Sequence, residues 1–351
     1  MILVTGAAGF IGYHAAARML AESESTGERV VGIDNLNSYY DPALKRARVE
    51  RLRANRQFAF GQMDVADREA MEDLFDAVRP RLVIHMAAQA GVRHSIDHPH
   101  AYTESNVTGF LNVLEGCRRT GAEHLIYASS SSVYGLRRTA TSAEADRADT
   151  PVSLYAATKR ANELMAHAYS HLFGFSSTGL RFFTVYGPWG RPDMAPVKFA
   201  RAIARGERID IYGYGRMQRD FTYIDDAVEC LFRLGLLAPR PARAAVLNVG
   251  NDSPVELMDF IAMLERAFGR RARKRFLPMQ AGDVQATHAN LDALAQAIGY
   301  RPKTSIEEGV ARFANWYREY YGEHGIGTKS GAAKSVIAKH SGAKAAVLRA
   351  S

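Results

Sequence analysis

A doubly wound parallel-sheet α/β fold of the Rossmann type, followed by a smaller C-terminal α/β lobe, is predicted from three observations. The chain opens directly on a strand-like run, Met1 to Thr5, that leads into a glycine-rich turn and an apolar helix through Ala15, Ala16, Met19 and Leu20. Strand-like runs recur at Arg29 to Asp34, Gln57 to Met63, Arg81 to Met86, His124 to Ser129 and Ser177 to Phe183. Helical patterns from Arg68, Asn106 and Leu154 fall between them. Strands that alternate with helices imply right-handed crossovers and a parallel sheet covered on both faces.

After Pro188 the pattern loosens into short strands near Ile209 to Tyr212 and Val246 to Val249, with helices near Val197, Asp225, Val255 and Ser305. The expected division is a dinucleotide-binding domain over 1–188, a mainly substrate-binding lobe over 189–322 and a basic, flexible tail over 323–351. Phe221 to Ile224 and the helix after it, within 219–240, are expected to return to the first domain.

Composition narrows the function classes. A chain of 351 residues with 47% apolar content can bury a large core. No window approaches the roughly 18 uninterrupted apolar residues of a membrane span. The N-terminus shows no leader pattern, so the expected location is cytoplasmic. Cys117 and Cys230 lack metal-ligand spacing and read as reduced and buried, with no metal site expected. The net charge of +8 owes much to Lys329, Lys334, Lys339, Lys344 and Arg349 in the tail, so nucleic acid is not an expected partner of the catalytic body.

Gly6, Gly9 and Gly12 form G-x-x-G-x-x-G between the first strand and first helix, where absent side chains let the backbone approach a pyrophosphate. A tight strand-to-helix turn would look the same, but the next strand ends in Asp34. A carboxylate there bonds the adenosine ribose hydroxyls and repels a 2′-phosphate, which favours NAD over NADP. Asp64 and Val65, ending the third strand, stand either where an acid meets the adenine amino group or as a loop cap. His85-Met86-Ala87-Ala88-Gln89 ends the fourth strand in small residues over which a cofactor can lie.

Tyr155 and Lys159 form Y-x-x-x-K, which places phenol and ammonium on one helix face. A tyrosine of pKa about 10 is a poor base at neutral pH. A neighbouring ammonium and the positive nicotinamide both favour the phenolate. Ser129-Ser130-Ser131-Ser132 at the end of the preceding strand bring hydroxyls to the same crevice.

These motifs resemble the extended short-chain dehydrogenase/reductase family, specifically its sugar-nucleotide epimerases and dehydratases. The resemblance rests on Thr5-Gly6-Ala7-Ala8-Gly9-Phe10-Ile11-Gly12, Asp34, His85 to Gln89, Ser130 before Val133-Tyr134-Gly135, and Tyr155 with Lys159, and it runs from Met1 to about Gly322. It implies Ser130, Tyr155 and Lys159 as catalytic residues. It also implies NAD contacts from Phe10, Ile11, Asn35, Asn37, Ser38, Ala87, Ala88, Gln89 and Asn106, and a homodimer built on the helices starting near Asn106 and Leu154.

Within the family, dehydratases carry Asp-Glu and UDP-glucuronate decarboxylases carry Glu just before Val-Tyr-Gly, whereas this chain has Ser131-Ser132. That difference favours simple 4-epimerisation. Longer stretches are similar to UDP-glucuronate 4-epimerases in particular: Asp34 to Asp41, Ala90 to Ser95, and Arg181 to Met194. The resemblance implies that Thr184 and Arg219 meet the UDP diphosphate and that Asp283 meets the uridine ribose. The chain departs from UDP-glucose 4-epimerases, which have Asn at Thr184 and an Arg near Gln280.

A 4-keto glucuronate is a β-keto acid, so the enzyme must hold the carboxylate where it is not lost. Ser131 or Ser132 and the planar fork of Arg191 are suitable donors, with Arg93 a second cation for carboxylate or phosphate. UDP-glucose or UDP-N-acetylglucosamine epimerisation, UDP-glucuronate decarboxylation, and a redox-sensing binding protein without turnover are the competing readings. The last commonly lacks the Tyr or Lys that this chain keeps.

Overall fold

The computed structural model describes residues 1–136, 141–237, 243–280 and 282–323. From residue 324 onward, the basic tail lies outside the described residues. Strands are numbered in chain order: β1 Ile2–Thr5, β2 Val30–Asp34, β3 Phe58–Gln62, β4 Leu82–His85, β5 His124–Ser130, β6 Ser176–Phe182, β7 Thr184–Tyr186, β8 Arg208–Ile211, β9 Gln218–Tyr223, β10 Ala244–Val249, β11 Pro254–Glu256 and β12 Arg273–Phe276. Seven pair in parallel in the order β10-β6-β5-β4-β1-β2-β3. The expected doubly wound Rossmann sheet is therefore present. The chain runs outward from β1 to β3, then crosses back to β4, so a crevice opens between the ends of β1 and β4.

Alternation along each strand supplies both cores. Ile2 and Val4 of β1, Ile84, Ile126 and Leu180 join one buried cluster with the Phe10–Ala21 and Ile224–Leu236 helices. Leu3, Val83, Leu125 and Tyr127 face the opposite side, where the Arg68–Val78 and Gly109–Thr120 helices cover them. Central strands buried on both faces need such continuous apolar runs.

The Leu154–Phe173 helix starts on Ser153, whose Oγ accepts the Ala156 amide at 3.1 Å, and ends on Gly174 in the left-handed region at φ 79°. Its buried side carries Glu163, which receives Arg181 of β6 through two bonds of 2.8 Å and the Ser129 hydroxyl of β5 at 2.6 Å. The ion pair ties the helix to β6, and the Ser129 bond ties it to the end of β5 that bears Ser130. Burial alone would raise the Glu163 carboxyl, but Arg181 holds it below its ordinary value.

Three expectations change. Ala244–Val249, expected in the C-terminal lobe, is the edge strand of the main sheet beside β6. Gln218–Tyr223 does not return to that sheet: β9 pairs with β7 in parallel and β11 antiparallel, and only the Ile224–Leu236 helix packs back on the Phe10–Ala21 helix. A short apolar strand carries no mark of which sheet it joins, because pairing is a backbone property. Finally, the helix expected from Asn106 is preceded by helical turns from Pro99 and a π-helical stretch at Thr103–Thr108. A single inserted turn of this kind is invisible to a 3.6-residue pattern and is frequent at functional sites.

Glu163→Gln would leave Arg181 buried without a counter-charge, and we expect it to lower stability by about 3 kcal/mol in denaturant unfolding. Glu22→Gln, which breaks the partly exposed Arg18–Glu22 pair, should change it by less than about 1 kcal/mol.

Candidate active site

The glycine turn closes the crevice at β1. Gly6 sits at φ 69°, and a Cβ there would lie 2.6 Å from the Ala87 amide nitrogen at the end of β4. At Gly12 a Cβ would lie 2.1 Å from the Gly6 carbonyl oxygen. Gly9 caps the first helix without a side-chain bond, so the amides of its first turn stay available to an anion. Asp34 ends β2 with its carboxylate accepting the Leu36 amide at 2.8 Å and the Ala8 amide at 3.3 Å. Burial raises that carboxyl, and Lys45, these two amides and Arg48 oppose the rise.

A cavity of about 430 Å³ is lined by Gly6, Gly9, Phe10, Ile11, Gly12, Asp34, Asn35 and Asn37, and by Val65, Ala87, Ala88 and Gln89. The same cavity reaches Ser130, Ser131, Ser132, Tyr155, Lys159, Thr184 and Arg191. The glycine cradle and Asp34 therefore share one space with the Ser/Tyr/Lys set. The side-chain Nε2 of Gln89 is buried in this wall near the Tyr102 hydroxyl and, among the described residues, makes no well-formed hydrogen bond. A cradle that a Cβ would fill, a carboxylate at the ribose position and a buried donor without a well-formed bond together fit a dinucleotide.

Other expected contacts lie elsewhere. Ser38 is exposed and does not line the cavity. Asp64 stands outside it, accepting the Asn35 amide at 2.9 Å and the Ala66 amide at 2.9 Å, so it steadies Asn35 while also serving as a loop cap. Asn106 lies one layer behind. Its Oδ1 accepts the Gln89 amide at 2.8 Å and its Nδ2 donates to the Gln89 carbonyl at 3.0 Å, which fixes the backbone of the cavity wall from the π-helical stretch.

In the candidate catalytic set, Lys159 is 2% exposed and donates to the Ala128 carbonyl at 2.9 Å; burial lowers its pKa to about 8. Tyr155 hydrogen-bonds Ser130, whose Oγ also accepts the Ser132 amide at 3.2 Å. Burial raises the phenol above its ordinary value, with Ser130 and the Arg191 charge acting the other way. Lys159, expected to lower the phenol, directs its ammonium to the Ala128 carbonyl of β5.

Arg191 lines the cavity and donates to Asp193 from Nε at 3.0 Å and Nη2 at 2.5 Å. A second cavity shares Val92, Ser131, Ser132, Phe183 and Thr184 with the first and holds Arg219 and Asp283. Burial lowers the Arg219 guanidinium, which donates to the Gln218 and Gln285 carbonyls at 2.7 and 3.1 Å. Arg93 lines neither cavity: it donates to Asp283 at 2.8 and 3.1 Å, so two residues expected to meet substrate separately meet each other.

The sequence reading missed Arg48 and His14. Arg48 is fully buried, donating to the Ala8 carbonyl and the Tyr40 hydroxyl at 2.7 Å and to the Trp189 carbonyl at 2.5 Å. His14, its pKa lowered to about 4 by burial, donates from Nε2 to the Pro188 carbonyl at 3.0 Å. Together they tie the glycine turn to the loop that carries Arg191, whose Trp189 sits at the strained φ of 61°. A signal existed: Leu44, Arg48 and Leu52 share one buried helix stripe, so a cation occupies a core-facing position.

Comparison with known proteins agrees with this geometry. The model of the NAD dependent epimerase/dehydratase family matches residues 2–250. A probable UDP-glucuronate 4-epimerase of Rhizobium meliloti is 48% identical over 335 residues, covering 91% of this chain and 97% of the relative. UDP-glucuronate 4-epimerase 3 of Arabidopsis thaliana is 45% identical, covering 91% of this chain and 77% of the relative. The crystal structure of the Bacillus cereus UDP-glucuronic acid 4-epimerase in complex with UDP-glucuronic acid and NAD superposes with a TM-score of 0.84 at 32% identity, covering 91% of this chain and 99% of that one. The chain belongs to the NAD dependent epimerase/dehydratase family.

Proposed function

We propose that this protein is an NAD-dependent epimerase that interconverts UDP-glucuronate and UDP-galacturonate by inverting C4. The observation that carries the reading is one cavity in which Ser130, Tyr155 and Lys159 meet both the glycine cradle and Arg191, with Ser131 and Ser132 where related enzymes place acids. The substrate named for the Rhizobium, Arabidopsis and Bacillus relatives supports it.

When bound, NAD supplies the oxidant for C4, later returning the hydride, and a positive ring beside the phenol. The glycine turn, Asp34 and Gln89 hold it, and the Asp34 carboxylate disfavours a 2′-phosphate. Tyr155 takes the C4 hydroxyl proton and hands it back, with Ser130 sharing that proton. Its phenol starts above its ordinary value, so positive charge beside it must bring it into working range. Lys159 locks the helix face to β5 through Ala128. Arg219, Asp283 and Thr184 line the path assigned to UDP, where a partly buried cation suits a diphosphate.

During the keto stage the sugar can turn to present its other face, and Arg191 with Ser131 and Ser132 keeps the carboxylate from aligning with the carbonyl. Neither Ser131 nor Ser132 can act as the acid that water elimination requires.

The division at residue 188, with 189–322 mainly the UDP-sugar lobe and 219–240 lending its helix to the dinucleotide half, is part of this proposal. So are a cytoplasmic location, supported by the free, buried Cys117 and Cys230, and a homodimer. Leu111 of the Gly109–Thr120 helix and Leu164, Leu172 and Phe173 of the Leu154–Phe173 helix are exposed apolar side chains that support pairing of these helices between subunits.

Incubation of purified protein with UDP-glucuronate should yield UDP-galacturonate by NMR; turnover of UDP-glucose alone would overturn the substrate assignment. Tyr155→Phe should reduce the rate at least about a hundredfold while the protein still retains NAD. Leu164→Glu should shift the sedimentation coefficient from dimer to monomer, and a wild-type monomer would remove the dimer from the proposal.

A further inference from the structure

Arg191 meets the cavity with one edge already taken. Asp193 accepts its Nε and Nη2 hydrogens, and the Tyr39 hydroxyl donates to the same carboxylate at 3.1 Å. Tyr39, Arg191 and Asp193 all line the cavity that contains Ser130 and Tyr155. Tyr39 has room there because Gly91, at φ 107°, has no side chain: a Cβ would stand 2.6 Å from the Tyr39 hydroxyl oxygen. The carboxylate is well held. Burial would raise the Asp193 carboxyl, but Arg191 and the Tyr39 bond bring it below its ordinary value.

A guanidinium carries five N–H donors in a fixed fork. Asp193 uses one on Nε and one on Nη2, which leaves both hydrogens of Nη1 and one of Nη2. One hydrogen from each Nη points in parallel along the end of the group, so a second carboxylate can still be gripped bidentately. The side-on bond to Asp193 fixes the direction in which that end points. It also balances the Arg191 charge, so the second carboxylate is selected by geometry more than by net field.

We propose that Asp193, oriented by Tyr39, is the positioning residue that presents the end-on fork of Arg191 to the C5 carboxylate of the substrate. It thereby determines how much of the keto intermediate keeps that carboxylate. The inference rests on the epimerase reading above. The loss it prevents is a balanced step: the C5–C6 bond breaks, its electron pair enters the C4 carbonyl as an enolate, carbon dioxide departs, and a proton from solvent at C5 gives a UDP-4-ketopentose. The two electrons removed from C4 then remain on the nicotinamide dinucleotide, because this product leaves unreduced.

The test compares wild type, Asp193→Asn and Tyr39→Phe, each with bound NAD and UDP-glucuronate. Released carbon dioxide is measured against UDP-galacturonate formed, and accumulation of reduced dinucleotide is followed by its near-ultraviolet absorbance. Asp193→Asn should raise the carbon dioxide to epimer ratio about tenfold, because a small misplacement of a bidentate clamp is enough to release its target. Tyr39→Phe, which removes only one bond to the carboxylate, should raise the ratio less. In both, the inhibition constant of UDP-glucose, which lacks the carboxylate, should stay unchanged. If Asp193→Asn does not fold, Tyr39→Phe carries the same test. An unchanged ratio in the folded variants overturns the inference, even when their rates fall. A wild-type enzyme that forms no UDP-galacturonate overturns the epimerase reading, and the inference with it.

Discussion

The site depends on the parallel register of the sheet. Thr5, His85 and Tyr127 lie level across β1, β4 and β5, with Ile33 of β2 beside Thr5. Everything just beyond that level belongs to the cavity: the glycine turn, Asp34, Ala87 and the serines. A parallel sheet brings every strand out at one edge, so residues more than a hundred positions apart become neighbours without a dedicated contact between them. The level is locked by Thr5, whose Oγ1 bonds His85 Nδ1 at 2.7 Å and accepts the Ala87 amide at 3.2 Å. His85, neutral because burial lowers its pKa to about 3, adds no charge beneath the cofactor cradle.

Around this edge several cations are held by backbone carbonyls. Lys159 and Arg48 bond backbone carbonyls, and Arg219 does the same in the adjoining cavity. Carbonyl dipoles stabilise a buried cation without cancelling its charge, so the cavities retain a field suited to a pyrophosphate and a UDP group. The overall basicity of the chain is a separate matter, since much of it resides in the tail.

Arg191 differs from these, because the Asp193 carboxylate balances its charge; on the proposed reading it gives direction to a carboxylate. A diphosphate needs charge, whereas a β-keto carboxylate needs a direction. The loop that carries Arg191 is anchored to the dinucleotide half by Arg48 and His14 through the Trp189 and Pro188 carbonyls. The glycine turn and the Arg191 loop are therefore joined through the Phe10–Ala21 and Pro42–Arg53 helices.

Much of this was legible in the chain itself. Strand and helix periodicity gave the Rossmann sheet, and Gly6, Gly9, Gly12, Asp34, Tyr155 and Lys159 could be placed because each motif is short-range: its meaning lies in a spacing of a few residues along a turn or helix. The pairing of Arg93 with Asp283, the role of Asn106 behind Gln89, the sheet membership of Ala244–Val249 and the burial of Arg48 were not legible. Each depends on which distant segments pack together, and a polar side chain has several possible partners until packing removes all but one. The sequence by itself determined the local geometry of cradle and catalytic helix, through backbone conformation and side-chain period. Only the tertiary structure decided the direction of Arg191, because that direction is set by Asp193, Tyr39 and the Arg48 anchor acting across three separate segments.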